Sequence, residues 1–341
     1  MTTDLRGSAT DRLAALAGLG FQPEPPPADV RVDAIGREGF RVETERPAMT
    51  TLVTVTAIHS SAACAEEAIG RAFEEMDRLI GIFNRYDQTS ALSALNTAGR
   101  LDGPPPELAA LVSRALAYHD LSGGAFDPTV APLVNLFRAC ADGAEAREPS
   151  AAEIEEARGR TGVAGVAASR PRLRLLREGM ALTLDGIAKG YIVDRMAATL
   201  ERGGVTQYLV EAGGDIRTGG WKEGGQPWAV AVRDPTREGR LPGTLQLSGG
   251  AVATAGSYER YYDSARRFHH IIEPVTGSSP QECVSATVVA PTATTADALA
   301  TAVLVLGVDA GTALVGRVPG CTCLVIRADG RLFHSPGWRE S

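Results

Sequence analysis

Asp297 and Thr301 stand four residues apart at the head of the apolar segment TTADALATAVLVLG. On a helix that spacing puts a carboxylate and a hydroxyl on one face. Together they suit a hard cation such as Mg²⁺, which prefers oxygen and leaves positions for substrate phosphates. The pair also has a purely structural reading. Aspartate in a first helical turn is favoured by the dipole, and a threonine inside a helix often bonds back to a carbonyl. His269 and His270 adjoin in FHHII, read as a short strand over Phe268–Ile272 that turns the two rings to opposite faces. One ring in a pocket could serve as a general base near neutral pH, although a histidine that is merely hydrogen-bonded is commoner. Asp127, between Phe126 and Pro128, is either a turn former or a ligand contact. No nucleophile elbow, Walker loop or dinucleotide fingerprint is present.

The elements that position these groups centre on residues 182–220, read as strand, tight turn, helix, Gly-Gly stop, strand, and a glycine pair opening onto Asp215. Ile192, Val193, Met196, Ala197 and Leu200 give the helix from Ala188 one buried face, and Gly203-Gly204 ends it. Asp185, Gly186 and Lys189 sit where strand turns into helix. Free N–H groups there suit phosphate oxygens, and Lys189 either pairs with a phosphate or is solvated; an ordinary strand–helix–strand unit fits equally well. Upstream, MTTLVTVTAI reads as the first strand, and a helix over 62–83 carries a near-continuous apolar stripe from Ile69 to Phe83. A second helix follows Pro104-Pro105-Pro106 with Leu108, Leu111, Val112, Ala115 and Leu121 on one side. Segments 173–176 and 181–184 read as a hairpin. Strands and helices mix without strict alternation, which favours α+β.

The chain of 341 residues is 44% hydrophobic and 22% charged, ordinary values for a globular enzyme. A net charge of −7 excludes a non-specific nucleic-acid binder. The five cysteines form no framework or zinc spacing, which fits a reducing compartment. With no apolar run near membrane-spanning length and no secretory leader, the expected location is the cytoplasm.

In order, FNRYDQTSALSALN, GGAFDPTVAPLVNLF, DGIAKGYIVD with LVEAGGDIRTGG, GSYERYY, HHIIEPVTG and SATVVAPTATTADALATAVLVLG resemble the motifs of the ApbE family of FAD:protein FMN transferases. The resemblance spans about Met49 to Leu306. It implies an α+β, ApbE-like (T-fold-related) fold of mixed sheets with packed helices over 46–338. Residues 1–45 then form an N-terminal extension with a proline-rich linker. It further implies an enzyme that uses FAD as substrate with Mg²⁺ or Mn²⁺, and transfers FMN to a serine or threonine of an acceptor protein carrying a flavinylation motif, releasing AMP. The family's metal ligands fall on Asp297, Thr301 and the carbonyl of Gly186. Its FAD contacts fall on Met49, Tyr86, Ala125, Phe126, Asp127, Lys189, Ile271 and Ala300, and its histidine on His270. His270 is the expected base, with Asp127 a weaker candidate. The family's aspartate six residues before the lysine is Thr183 here, and Asp185 is expected to replace it from the same strand face. Two rival outcomes keep the site: an FAD pyrophosphatase giving FMN and AMP, and a non-catalytic FAD-binding protein. The expected assembly is a monomer or homodimer.

Overall fold

The computed structural model describes residues 29–36, 39–143, 146–169, 171–237 and 239–339. The proline-rich linker and the piece before it lie outside these residues. Three strands open the described chain: β1 (Asp29–Ala34), β2 (Phe40–Ala48) and β3 (Thr51–His59). The boundary expected at residue 46 falls inside β2, which pairs with β3 along its whole length, Phe40 with His59 to Ala48 with Thr51. Helix α1 (Ala62–Phe83) is capped by the Ser61 hydroxyl and buries Ala65, Ala68, Ile69, Ala72, Phe73, Met76, Leu79 and Phe83, the stripe its periodicity predicts. After it come α2 (Ala91–Ala98), β4 (Arg100–Asp102), α3 (Pro106–Leu121), α4 (Ala131–Asp142) and α5 (Ala151–Gly159). Leu121 differs from expectation: it ends α3 and is 45% exposed.

β5 (Val166–Ser169) and β6 (Arg172–Leu175) form a small sheet with β4. β6 therefore does not pair with residues 181–184, and those residues are not a strand. Leu182 and Leu184 are buried as expected, yet their segment is held by other groups. The Leu182 N–H donates to Asn96 Oδ1 (2.7 Å), Asn96 Nδ2 donates to Leu182 O (2.8 Å), and Thr183 N–H donates to Pro128 O (2.8 Å). A side-chain amide and a loop carbonyl satisfy the buried backbone in place of a ladder. The chain then enters α6 (Ala188–Arg202), β7 (Gln207–Ala212) and β8 (Asp215–Gly219).

The hairpin β9 (Trp228–Val232) and β10 (Gly243–Leu247) precedes β11 (Gly249–Gly256), β12 (Cys283–Ala290), α7 (Ala293–Gly316), β13 (Thr322–Arg327) and β14 (Leu332–His334). The main sheet has the order β1-β2-β3-β7-β8-β11-β12-β13-β14, with every neighbouring pair antiparallel. α1, α6 and α7 cover one face and share a single core with it. On the other, Val230, Val232, Leu245 and Leu247 of the β9–β10 hairpin pack on Ile216, Val252 and Leu324. The architecture is α+β. α7 is long and apolar enough to cross a membrane by length and composition, contrary to the expectation that no such run exists. Most of its apolar window is buried inside the fold, and Gly307 interrupts it at φ 79°.

Candidate active site

Two glycines let α6 and α7 touch. A Cβ on Gly190 would lie 2.3 Å from Ala293 O, and one on Gly186 would lie 2.8 Å from Thr301 Oγ1. Both glycines are therefore required by space, since nothing larger fits between the helices. Ile187, at the N-cap of α6, supplies no side-chain cap. Instead the Gly190 N–H donates to Asp297 Oδ2 across the helix crossing at 3.0 Å. The positive end of α6 thus faces a carboxylate of α7. Asp194 ties the same crossing from the other side, accepting from the N–H groups of Ala293 and Thr294, 2.9 Å each. Asp297, Thr301 and the Gly186 backbone are consequently brought together, as the resemblance implies.

Lys189 is the second residue of α6, and the residue it faces was not picked out as a functional group from the sequence. Asp215, 2% exposed, has its Oδ2 3.5 Å from the Lys189 ammonium, and among the described residues that oxygen has no other partner. Burial raises the Asp215 carboxyl above its ordinary range and Lys189 pulls it back, while Asp215 holds the ammonium above its own range. Both directions follow from one geometry, because the buried carboxylate loses more solvation than one ammonium returns. Asp297 is also pushed well above the carboxylate range, by burial first and then by the charge of Asp215. Two buried carboxylates with one ammonium between them are short of positive charge, the environment a divalent cation fits. No group of three His, Cys, Asp or Glu side chains in ligating arrangement occurs among the described residues. A set of one carboxylate, one hydroxyl and one carbonyl does not need such a group, and the residues present fit a hard cation. The glycine pair before Asp215 was the available signal: Gly213 and Gly214 make a positive-φ hairpin tip between β7 and β8 that aims Asp215 inward.

Residues 268–272 are not the strand expected of them. The N–H groups of Arg267 and Phe268 donate to Asp263 Oδ1, and that of His269 to Ser279 Oγ, leaving a single bridge between Tyr261 and His269. Phe268, Tyr262 and Ile272 pack on Leu133, Val134 and Phe137, which anchors the loop to α4. The two rings do diverge. His269 is 1% exposed, with Nε2 2.9 Å from Pro280 O and Nδ1 accepting from the Ile271 N–H at 3.3 Å. That pairing fixes a neutral Nε2–H tautomer, and burial lowers His269 to about 4. The unfolded chain takes up this proton near pH 6.5 and the folded protein only near pH 4. Stability from this group is therefore full above pH 6.5 and falls as pH drops towards 4, by on the order of 3 kcal/mol. Urea denaturation of wild type and His269→Gln at pH 7.5 and 5 should show wild type losing more of its advantage at pH 5. The difference between the two proteins isolates His269 from Asp215 and Asp297, whose raised values act in the opposite direction. Equal advantage at both pH values would exclude this assignment.

His270 faces the other way, half-buried, with Nδ1 buried and unpartnered among the described residues. Burial holds its imidazole below the ordinary value, countered by the Arg260 backbone carbonyl and the Asp185 charge and reinforced by the charges of Lys189 and Arg260. At neutral pH the ring is a free base.

Of the remaining expected contacts, Met49 and Thr50 occupy the β2–β3 turn at φ 50° and 61°. Such a turn favours Asn-Gly, so two side-chain-bearing residues there store strain, which clusters at ligand sites. Tyr86 lies between the guanidinium groups of Arg85 (4.4 Å) and Arg138 (4.6 Å), and its ring is open to solvent. Phe126, Ile271 and Ala300 are buried in the main core, the Phe126 ring lies against Gly186, and Ala125 precedes it in the loop. Asp127 Oδ1 accepts from the N–H (2.7 Å) and hydroxyl (2.6 Å) of Thr129, so this oxygen acts as a turn former. Thr183 and Asp185 do not share a strand face. Thr183 is buried and its hydroxyl accepts from the Asp185 N–H (3.2 Å), while the Asp185 carboxylate takes Arg85 Nε at 2.9 Å. The expected replacement of one by the other has no geometric basis in this turn. A cavity of about 310 Å³ beside α6 is lined by Arg114, Tyr191, Asp194, Arg195 and Arg217. Arg195 is paired there with Glu75, and Arg217 with Asp194.

A model of the ApbE family matches residues 49–325. A FAD:protein FMN transferase of Salmonella typhimurium is 32% identical over 300 residues, 85% of this chain and 85% of that one. A protein of the same name from Treponema pallidum is 37% identical over 277 residues, 74% of this chain and 75% of its own. Among solved structures, the apbe protein of Thermotoga maritima superposes with a TM-score of 0.78 at 34% identity, over 87% of this chain and 97% of that one. The flavin transferase ApbE from Vibrio cholerae gives 0.74 at 28% identity, over 91% and 98%.

Proposed function

The chain belongs to the ApbE family, and on that premise we propose that it transfers FMN from FAD to a serine or threonine hydroxyl of an acceptor protein, releasing AMP. What supports this reading is Asp297 against the Gly190 N–H and Thr301 against Gly186 where α6 crosses α7, with the Lys189 ammonium beside Asp215 and the His270 imidazole near enough to feel the charge of Lys189.

In the reaction the acceptor oxygen forms a bond to the FMN phosphorus, the bond from that phosphorus to the bridging oxygen breaks, and AMP leaves with the bridging oxygen. Asp297, Thr301 and the Gly186 carbonyl would hold a divalent cation, Mg²⁺ or Mn²⁺, which supplies positive charge to the pyrophosphate oxygens. Lys189, kept charged by Asp215, adds a second positive charge fixed before substrate arrives, so little reorganisation is needed as charge develops. His270 accepts the hydroxyl proton. Tyr86, whose ring is open to solvent, and Met49 would supply flavin contacts, together with the apolar side chains of Phe126, Ile271 and Ala300.

The test is to incubate the protein with FAD, Mg²⁺ and an acceptor carrying a serine or threonine flavinylation motif, and to read the acceptor's intact mass. An FMN adduct with equimolar AMP is expected. AMP with free FMN and no adduct would make it a pyrophosphatase, and intact FAD throughout would make it a binding protein.

A further inference from the structure

Arg85 carries a buried cation that the reaction above does not use. Its side chain is 4% exposed, and its guanidinium reaches three acceptors. Nε donates to Asp185 Oδ2 (2.9 Å) in the turn before α6, Nη1 to Asn135 Oδ1 (2.7 Å) on α4, and Nη2 to the Tyr86 hydroxyl (2.6 Å). The backbone at this point is fixed as well. Ser93 Oγ on α2 donates to Arg85 O (3.0 Å), and the Tyr86 N–H donates to Asn84 Oδ1 (3.0 Å). The three acceptors are nevertheless open to water: the Asp185 side chain is 53% exposed, Tyr86 54%, and Asn135 is an exposed residue of α4. Water can satisfy all of them, so pairing them with a desolvated cation adds little stability. What the arrangement achieves is orientation. A solvent-exposed ring, otherwise free to turn about its side-chain torsions, is pinned at its hydroxyl, while Arg138 of α4 flanks it at 4.6 Å.

We propose that Arg85 is a positioning residue for the flavin end of FAD: it holds the Tyr86 ring in place before substrate arrives, so that flavin binding does not have to order it. A guanidinium suits this task because its planar fork reaches several acceptors at fixed angles, which an ammonium does not. Ordering one side chain in advance is worth about three- to ten-fold in affinity. Through Asp185 the same guanidinium ties the Tyr86 ring to the turn that carries Gly186.

This proposal rests on Tyr86 touching the flavin in the functional reading above, so the experiment separates the two ideas. Affinities for FMN and for AMP, one for each end of FAD, are measured by calorimetry with Mg²⁺ present. The proteins are wild type, Arg85→Gln, Arg85→Lys, Tyr86→Phe and the double variant of Arg85→Gln with Tyr86→Phe. Arg85→Gln should weaken FMN about three- to ten-fold and leave AMP unchanged. Tyr86→Phe removes the hydroxyl that Arg85 holds and should weaken FMN by a similar factor, with the double variant no worse than either alone. Arg85→Lys should resemble Arg85→Gln, because charge without the fork does not hold the ring. In the transfer assay the KM for FAD should rise in Arg85→Gln with kcat nearly unchanged. Unchanged FMN affinity, equal weakening of FMN and AMP, full rescue by lysine, or additive losses in the double variant would each overturn the proposal. A thermal melt checks folding, and if Arg85→Gln does not fold, Tyr86→Phe decides, since its FMN affinity must fall. Were wild type to bind FMN yet form no adduct, the functional reading would fail and the FMN comparison would still decide the role of Arg85. Were wild type to bind no FMN, both would fall.

Discussion

Asp297→Ala is expected to lower FMN transfer by roughly a thousand-fold or more, equivalent to about 4 kcal/mol of transition-state stabilisation. Asp297 is the only carboxylate in the proposed cation set, so its loss removes the ligand that Thr301 and a carbonyl cannot replace. The same substitution should separate binding from folding. A buried carboxylate beside Asp215 is costly without a cation, and removing it relieves that repulsion. It also orphans the Gly190 N–H, which donates to Asp297 at 3.0 Å, and that loss offsets the gain. Asp297→Asn keeps an acceptor for Gly190 and is the cleaner variant. Its thermal midpoint without metal should equal or exceed that of wild type, and its rise on adding Mg²⁺ should disappear. A variant that still gains stability from Mg²⁺ as wild type does would place the cation elsewhere.

His270→Ala is expected to slow transfer by roughly 10²–10⁴-fold, the range for a lost general base, while FAD binding persists. The ring is half-buried, and the loop is anchored through His269, Ser279 and Asp263. The fold should therefore survive. Because burial holds the imidazole below its ordinary value, wild type should keep its rate from neutral pH down to below about 6.5, and lose it as pH falls through the lowered value. In His270→Ala that acid limb should vanish, leaving a slow, flatter profile. Transfer at the wild-type rate, or an acid limb retained in the variant, would move the proton to another group. Asp127 is the weaker successor, since Thr129 already occupies one of its oxygens.

Much of this site follows from local spacing. The stripe of α1 and the face of α6 appear where the 3.6-residue period puts them, because a helix relates residues three and four apart whatever surrounds it. The pairing of Asp297 with Thr301 is of that kind, and so are the glycine stops and the turn at Asp127. The ordered motifs then identified the family, and the matched span of 49–325 agrees with them.

Other features depended on partners far along the chain. Residues 181–184 have the apolar pattern of a strand, yet Asn96, 86 residues away, and Pro128 take their backbone groups. Residues 268–272 likewise gave their N–H groups to Asp263 and Ser279 side chains. β1 (DVRVDA) and the first part of β2 (FRVETE) were missed although their charged and apolar residues alternate with the period of a half-buried strand, and the ladder to β3 completes them. The role of Asp215 was hidden for the same reason. An isolated acidic residue in a sequence is by default a solvated one. What makes Asp215 a group with electrostatic consequence is its burial against Lys189. Helical faces, stops and the family were thus readable from residues a few positions apart. The charge balance of the site was not, because desolvation is a property of the packed neighbourhood, and Asp297 meets the Gly190 N–H only across 107 residues of chain.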